Sequence, residues 1–110
     1  TLGLPRVCGK EMRFFKVSSI KNLEKSKFGI MEPEINSEEI IAKDAHVFVP
    51  LIGLDENKKR LGFGGGFYDR YFGKHRENTL YGLAYDFQVD IDFDVNEYDV
   101  AMDHIFIAKY

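Results

Sequence analysis

A glycine run set between two apolar stretches constrains this chain more than any other feature. Arg60-Leu61-Gly62-Phe63-Gly64-Gly65-Gly66-Phe67-Tyr68-Asp69-Arg70 holds four of the ten glycines within five positions, bracketed by arginines and closed by a carboxylate. Residues without Cβ reach positive φ and can turn several backbone N–H groups toward one anion. Phe67 to Arg76 reads as a helix, whose N-terminal end also favours negative charge. A nucleotide phosphate suits such a loop, and Asp69 stands where it could hold the accompanying metal ion.

The flanking stretches set the architecture. Val47-Phe48-Val49-Pro50-Leu51-Ile52 is apolar on both faces and reads as a central strand of a covered sheet, with Pro50 interrupting the ladder near its end. Thr79 to Tyr85 reads as the next strand. Strand, glycine loop, helix, strand is a βαβ unit, and phosphate sites in such sheets lie beyond the strands' carboxyl ends. Elsewhere, Leu2 to Cys8 and Met12 to Val17 predict a hairpin across Gly9-Lys10-Glu11. Ser18 to Ser26 suggests a turn of helix, Phe28 to Pro33 a loop, and Ser37 to Ala42 a brief capped helical turn. His104 to Ala108 predicts a last strand. The expected fold is α/β: a Rossmann-like, mostly parallel sheet with a βαβ unit around the Gly-rich loop, in a single domain over residues 1–110.

At 110 residues, 45% hydrophobic and 30% charged, the composition is that of a soluble globular protein. A net charge of -3 argues against a general nucleic-acid binder. The single Cys8 excludes an internal disulfide and fits a reducing compartment, and no apolar run is long enough to span a bilayer; the expected location is cytoplasmic. Charge is unevenly spread. Lys58, Lys59, Arg60, Arg70, Lys74 and Arg76 face only Asp69 in their stretch, whereas Asp86 to Asp103 holds seven acids and no Lys or Arg. Brought together, the two would form a cationic cradle beside carboxylates; apart, they are two solvated faces of opposite sign.

Three familiar glycine patterns fail. No Gly-Lys precedes Ser or Thr, Phe67 stands where a dinucleotide fingerprint needs its third glycine, and Leu61 replaces the basic residue of an RNA-recognition motif. Asp90, Asp92 and Asp94 imitate the start of an EF-hand, but Val95 takes its glycine position and Ala101 its Glu. His46, His75 and His104 have no metal or triad spacing. Taken bare, a triple glycine is as compatible with a flexible turn as with a phosphate loop.

The residues do, however, carry a resemblance. Val49-Pro50-Leu51-Ile52-Gly53-Leu54-Asp55, the run Arg60 to Arg70 and Val95-Asn96-Glu97-Tyr98-Asp99-Val100 resemble the C-terminal part of the 5-formyltetrahydrofolate cyclo-ligase (methenyltetrahydrofolate synthetase) family. Leu4-Pro5-Arg6-Val7, Phe14, Val17-Ser18-Ser19 and Gly29-Ile30-Met31-Glu32-Pro33 follow the same family in the same order. The resemblance implies ATP- and Mg2+-dependent conversion of 5-formyltetrahydrofolate to 5,10-methenyltetrahydrofolate, with ATP phosphorylating the formyl oxygen before ring closure. It implies that Arg60, Leu61, Gly62, Phe63, Gly64, Gly65, Gly66, Phe67 and Tyr68 wrap the nucleotide, with Arg60 and Tyr68 in catalytic roles. Asp69 and Asp99 would hold magnesium, and Phe63 to Phe67 would border the folate. It further implies that the family's N-terminal portion, with a lysine reaching ATP, is absent from these residues, so that a further segment or a second chain completes the site.

Without the resemblance, Asp69 is an ordinary first-turn helix acid, Asp99 a loop residue, Arg60 and Arg70 solvated ends, and Tyr68 and Tyr71 core. Two other functions stand beside the ligase: a nucleotide- or folate-binding relative without turnover, and a single-strand RNA module stacking bases on Phe63 and Phe67.

Overall fold

The computed structural model describes residues 1–26, 29–41, 43–62, 66–95 and 99–110. The chain packs as two compact units, Thr1–Ala42 and Lys43–Tyr110.

The first unit is antiparallel. Strands β1 (Gly3–Cys8) and β2 (Glu11–Lys16) form the expected hairpin, turning at Gly9-Lys10. On β2, Met12 and Phe15 are buried and Phe14 is half-buried, while Glu11, Arg13 and Lys16 are exposed. The polar stretch after β2 does hold one turn of 3-10 helix, Ile20–Asn22, capped by the Ser19 hydroxyl accepting from Lys21 N. Two expectations fail here. The supposed loop contains a strand, β4 (Met31–Pro33), paired antiparallel with β3 (Leu23–Lys25). The supposed helical turn after Ser37 is a strand, β5 (Glu39–Ile40), laid on β2. Segments of two or three residues have no readable period; pairing with a neighbour's unfilled N–H and C=O groups decided both. Phe28 and Ala42, the outer limits of those two readings, lie outside the described residues.

The second unit carries the parallel sheet. Its strands are β6 (His46–Val49), β9 (Thr79–Tyr85) and β10 (His104–Ala108), in the order β10-β9-β6 with both pairs parallel. A small hairpin, β7 (Gly53–Leu54) with β8 (Arg60–Leu61), and helix α1 (Phe67–Lys74) lie between β6 and β9 in the chain. The βαβ unit is therefore present, with both later strands at their expected limits. The first strand stops at Val49, as Pro50 demanded, but it is not central: it lies at one side of the described sheet, and Phe48 is exposed. An apolar run on both faces reports attraction to a core, not place in a sheet. Residues 89–95, which alternate apolar and acidic, form no strand.

The core of this unit gathers on one face of the sheet. Along β9 the residues Leu80, Gly82 and Ala84 are buried while Leu83 and Tyr85 are exposed. Val49, Leu51, Leu54, Phe72 and Met102 are buried as well, and Leu51 and Met102 both pack against Gly82. Among the described residues no helix is long and apolar enough to cross a membrane.

Candidate nucleotide and magnesium site

The site is assembled where β6 ends. Pro50 follows the last residue of β6, and its carbonyl, freed from the ladder, accepts a 3.2 Å hydrogen bond from Arg60 Nε. Arg60 arrives there on β8, whose partner β7 follows β6 closely; Leu54 faces Arg60 in that pair, and Ile52 N donates to Leu61 O at 2.7 Å. The hairpin turn is fixed by Asp55, whose Oδ1 accepts from Asn57 N and Lys59 N, each at 2.9 Å.

Arg60 is 5% exposed, an unusual degree of burial for a side chain that stays charged. Its guanidinium lies 4.9 Å from the centre of the Tyr68 ring. A Cβ on Gly62 would come within 2.6 Å of Arg60 Nη2 and 2.9 Å of Cζ, so the absence of a side chain at 62 is what gives the guanidinium its place. Burial pulls the Arg60 pKa below its ordinary value, while the charges of Asp69, Tyr68 and Asp99 push the other way. Burial likewise raises the Tyr68 hydroxyl, against the pull of Arg60.

Helix α1 supplies the other half. Gly66 is its N-cap, in the left-handed region at φ 68°, where a larger residue would be strained. The helix then presents Tyr68 and Asp69 in its first turn. Asp69 Oδ1 accepts from Val100 N at 3.1 Å, which ties the helix start to the segment bearing Asp99. A second tie comes from β8's side: Lys59 bridges Ala101, and Met102 N donates to Lys58 O at 2.8 Å. Three chain-distant stretches, 58–62, 66–70 and 99–102, thus meet through backbone bonds and the Asp69 side chain. Arg70, exposed at the same helix start, lays its guanidinium 4.9 Å from the Phe67 ring centre.

Among the residues expected at the site, Arg60, Gly62, Tyr68, Asp69 and Asp99 are thus brought together. Gly66 and Phe67 form the helix start, and Leu61 is half-exposed on β8. Phe63, Gly64 and Gly65 lie outside the described residues, as do Asn96, Glu97 and Tyr98. Arg60 and Tyr68 are neither solvated end nor plain core: they contact each other. The Pro50 carbonyl and the Val100 amide were missed, since backbone groups leave no mark in side-chain patterns; the break in the ladder at Pro50 was the only available signal.

A magnesium ion is usually bound by one or two carboxylates, with water and phosphate oxygens completing its octahedron. Asp69 and Asp99 match that donor set. Among the described residues no group of three or more His, Cys, Asp or Glu could hold a metal by itself.

Known proteins resemble this chain along most of its length. The 5-formyltetrahydrofolate cyclo-ligase family description matches residues 2–108. This chain belongs to that family. Among cyclo-ligases, the Haemophilus influenzae protein is 32% identical over 90 residues, covering 78% of this chain and 48% of its own. The Mycoplasma genitalium cyclo-ligase is 33% identical over 97 residues, covering 84% of this chain and 58% of its own. The solution structure of Aquifex aeolicus 5,10-methenyltetrahydrofolate synthetase superposes with a TM-score of 0.78 at 35% identity, covering 96% of this chain and 54% of that one. This cyclo-ligase family chain therefore spans about half the length of the relatives it matches.

Proposed function

We propose that these residues form the nucleotide- and magnesium-holding part of a 5-formyltetrahydrofolate cyclo-ligase, which converts 5-formyltetrahydrofolate to 5,10-methenyltetrahydrofolate with hydrolysis of ATP to ADP and phosphate. The observation that carries this reading is the meeting of Arg60, Tyr68, Asp69 and Asp99 beyond the carboxyl end of β6. That is where the open sheets of Rossmann-like folds receive phosphates.

A formyl amide oxygen is a weak nucleophile. The protein's part in its phosphorylation is to align it with the γ-phosphoryl group and to balance charge as it develops. Bound magnesium would supply that balance at the phosphate oxygens. The chain's own residues prepare the place. Asp69 and Asp99 would hold the ion, and Arg60 offsets their mutual repulsion when the ion is away. Gly62 and Gly66 let backbone approach a phosphate closely, and the α1 N-terminus adds its partial positive charge. Tyr68, kept neutral by its raised pKa, remains a hydrogen-bond donor at working pH.

A second reading has one observation in its favour. The chain spans about half the length of its relatives, and under this reading the site holds nucleotide without turnover. Calorimetric titration with ATP, with and without magnesium, tests the site. Wild type is expected to bind Mg-ATP more tightly than ATP, and Asp69→Asn or Asp99→Asn to abolish that difference. Equal affinity with and without magnesium in the wild type rules out the carboxylate pair. Growth of the methenyl product's ultraviolet absorbance, on adding 5-formyltetrahydrofolate, separates the ligase from the non-catalytic binder.

A further inference from the structure

Beyond β6 the chain leaves the ladder, and Pro50, Leu51 and Ile52 lie between β6 and β7 in no strand. Off the ladder, their carbonyls take partners from elsewhere. Arg60 Nε takes the Pro50 carbonyl. One side chain takes the other two: Gln88 Nε2 donates to Ile52 O at 3.0 Å and to Leu51 O at 3.5 Å. Arg60 and Gln88 thus grip the same three residues. Ile52 also joins the two grips, because its N–H donates to Leu61 O on the strand that carries Arg60.

Gln88 is itself held in place. β9 ends at Tyr85, and a turn of 3-10 helix, Asp86–Gln88, brings the side chain back. Gln88 Oε1 accepts from Tyr85 N at 2.8 Å. The amide therefore meets a donor with its oxygen and two acceptors with its NH2, and only this orientation satisfies all three. The next residues follow the same stretch. Ile91 N donates to Leu54 O at 2.8 Å, and a Cβ at Gly53 would touch Ile91 and the Gln88 carbonyl. Just before Ile91, Asp90 stands at φ 54° in the left-handed region, a strained backbone that surrounding contacts must hold.

We infer that Gln88 is a positioning residue for the site: its amide fixes residues 51 and 52, and thereby holds the Pro50 carbonyl where Arg60 Nε can donate to it. Gln88 acts on Arg60 through the main chain. A buried guanidinium has few acceptors to choose from, and sites of this kind depend on supporting hydrogen bonds that keep their groups within a fraction of an ångström. Without the Gln88 NH2, two adjacent carbonyls lose their donor and the stretch is free to shift. The 3.2 Å bond from Arg60 to Pro50 loosens first, since hydrogen bonds weaken steeply with misalignment. The consequence for nucleotide rests on the function proposed above, whereas the effect on Arg60 does not.

Gln88→Glu is the test, because it keeps the shape and the acceptor for Tyr85 N but sets an oxygen against two carbonyls. Nuclear magnetic resonance reads the solvent exchange of the Arg60 Nε–H, which needs no nucleotide. In Gln88→Glu this group should exchange about 10-fold faster than in wild type at pH 7, while the amides of Leu80 to Ala84 in β9 exchange as in wild type. Below about pH 4 the protonated side chain donates again, so the ratio to wild type at equal pH should fall back toward one. Calorimetry should show Mg-ATP affinity lowered about 10-fold at pH 7. Should Gln88→Glu fold poorly, Gln88→Met, which adds no charge, is expected to speed the Arg60 exchange without recovery at low pH. Arg60 exchange equal to wild type in these variants overturns the inference. So does faster exchange of Arg60 and β9 together, which is general loosening. If the Arg60 exchange responds as expected and wild type binds no Mg-ATP, the positioning role stands and the proposed function fails.

Discussion

Arg6 in the first unit and Arg60 in the second are both arginines near two acids, yet their surroundings make them different devices. Arg6 donates through Nη1 to both Glu24 and the Pro33 carbonyl. Glu24 stands directly across from Glu32 in the β3–β4 pair, and Glu32 in turn accepts from Val7 N. Arg6 therefore relieves a like-charge pair at a partly exposed seam, and its hydrogen bond to Glu24 raises its pKa. Arg60 makes no ion pair among the described residues. It is held by a carbonyl, a ring and the space over a glycine, with Asp69 and Asp99 near enough to act on it through their charge. Direct pairing makes a stitch that is complete. A buried cation held mainly by backbone and ring, with carboxylates acting on it through their charge, is a pattern met at functional sites.

The contrast breaks first, and most strongly, at Arg60. Arg60→Ala opens a cavity and removes the charge that tempers Asp69 and Asp99; a loss on the order of 3 kcal/mol is expected, together with loss of nucleotide binding. Urea unfolding and calorimetry measure both. Gly62→Ala tests the same arrangement from the other side: its methyl meets the guanidinium and should cost about 1–3 kcal/mol while leaving every charge in place. A Gly62→Ala protein as stable as wild type would show that the guanidinium is not held against residue 62.

Tyr68 sharpens the comparison through pH. Its folded-state pKa is raised, so its contribution to stability is whole below the ordinary tyrosine value of about 10 and is lost as pH rises through the folded value. Tyr68→Phe should therefore make the urea midpoint less sensitive to pH as pH rises above about 10. The smallest effect belongs to Arg6→Gln. A partly exposed pair is worth about 1 kcal/mol or less, and nucleotide affinity should not change. A large loss of affinity in Arg6→Gln would erase the distinction between the two arginines.

Legibility in the sequence followed element length. The six-residue strands of the hairpin, α1 and the seven-residue β9 had enough periods to be read. The short strands β4 and β5 did not, because a two- or three-residue strand exists only through its partner. The site divides in a similar way. Glycines, arginines and carboxylates could be named from the run at 60–70 and from the resemblance around Asp99. That Arg60 is buried, that it donates to Pro50, and that Asp69 secures Val100 required three distant stretches to be placed together.

The amino-acid order by itself determined the βαβ unit, the helix start after the glycines and the family to which the chain belongs. All of these are written in local composition and spacing. Tertiary structure alone decided that β6 lies at one side of its described sheet, which face was left bare, and that two carboxylates and a guanidinium converge. Those depend on strand order and on backbone hydrogen bonds between distant residues, and neither quantity is carried by any single stretch of chain.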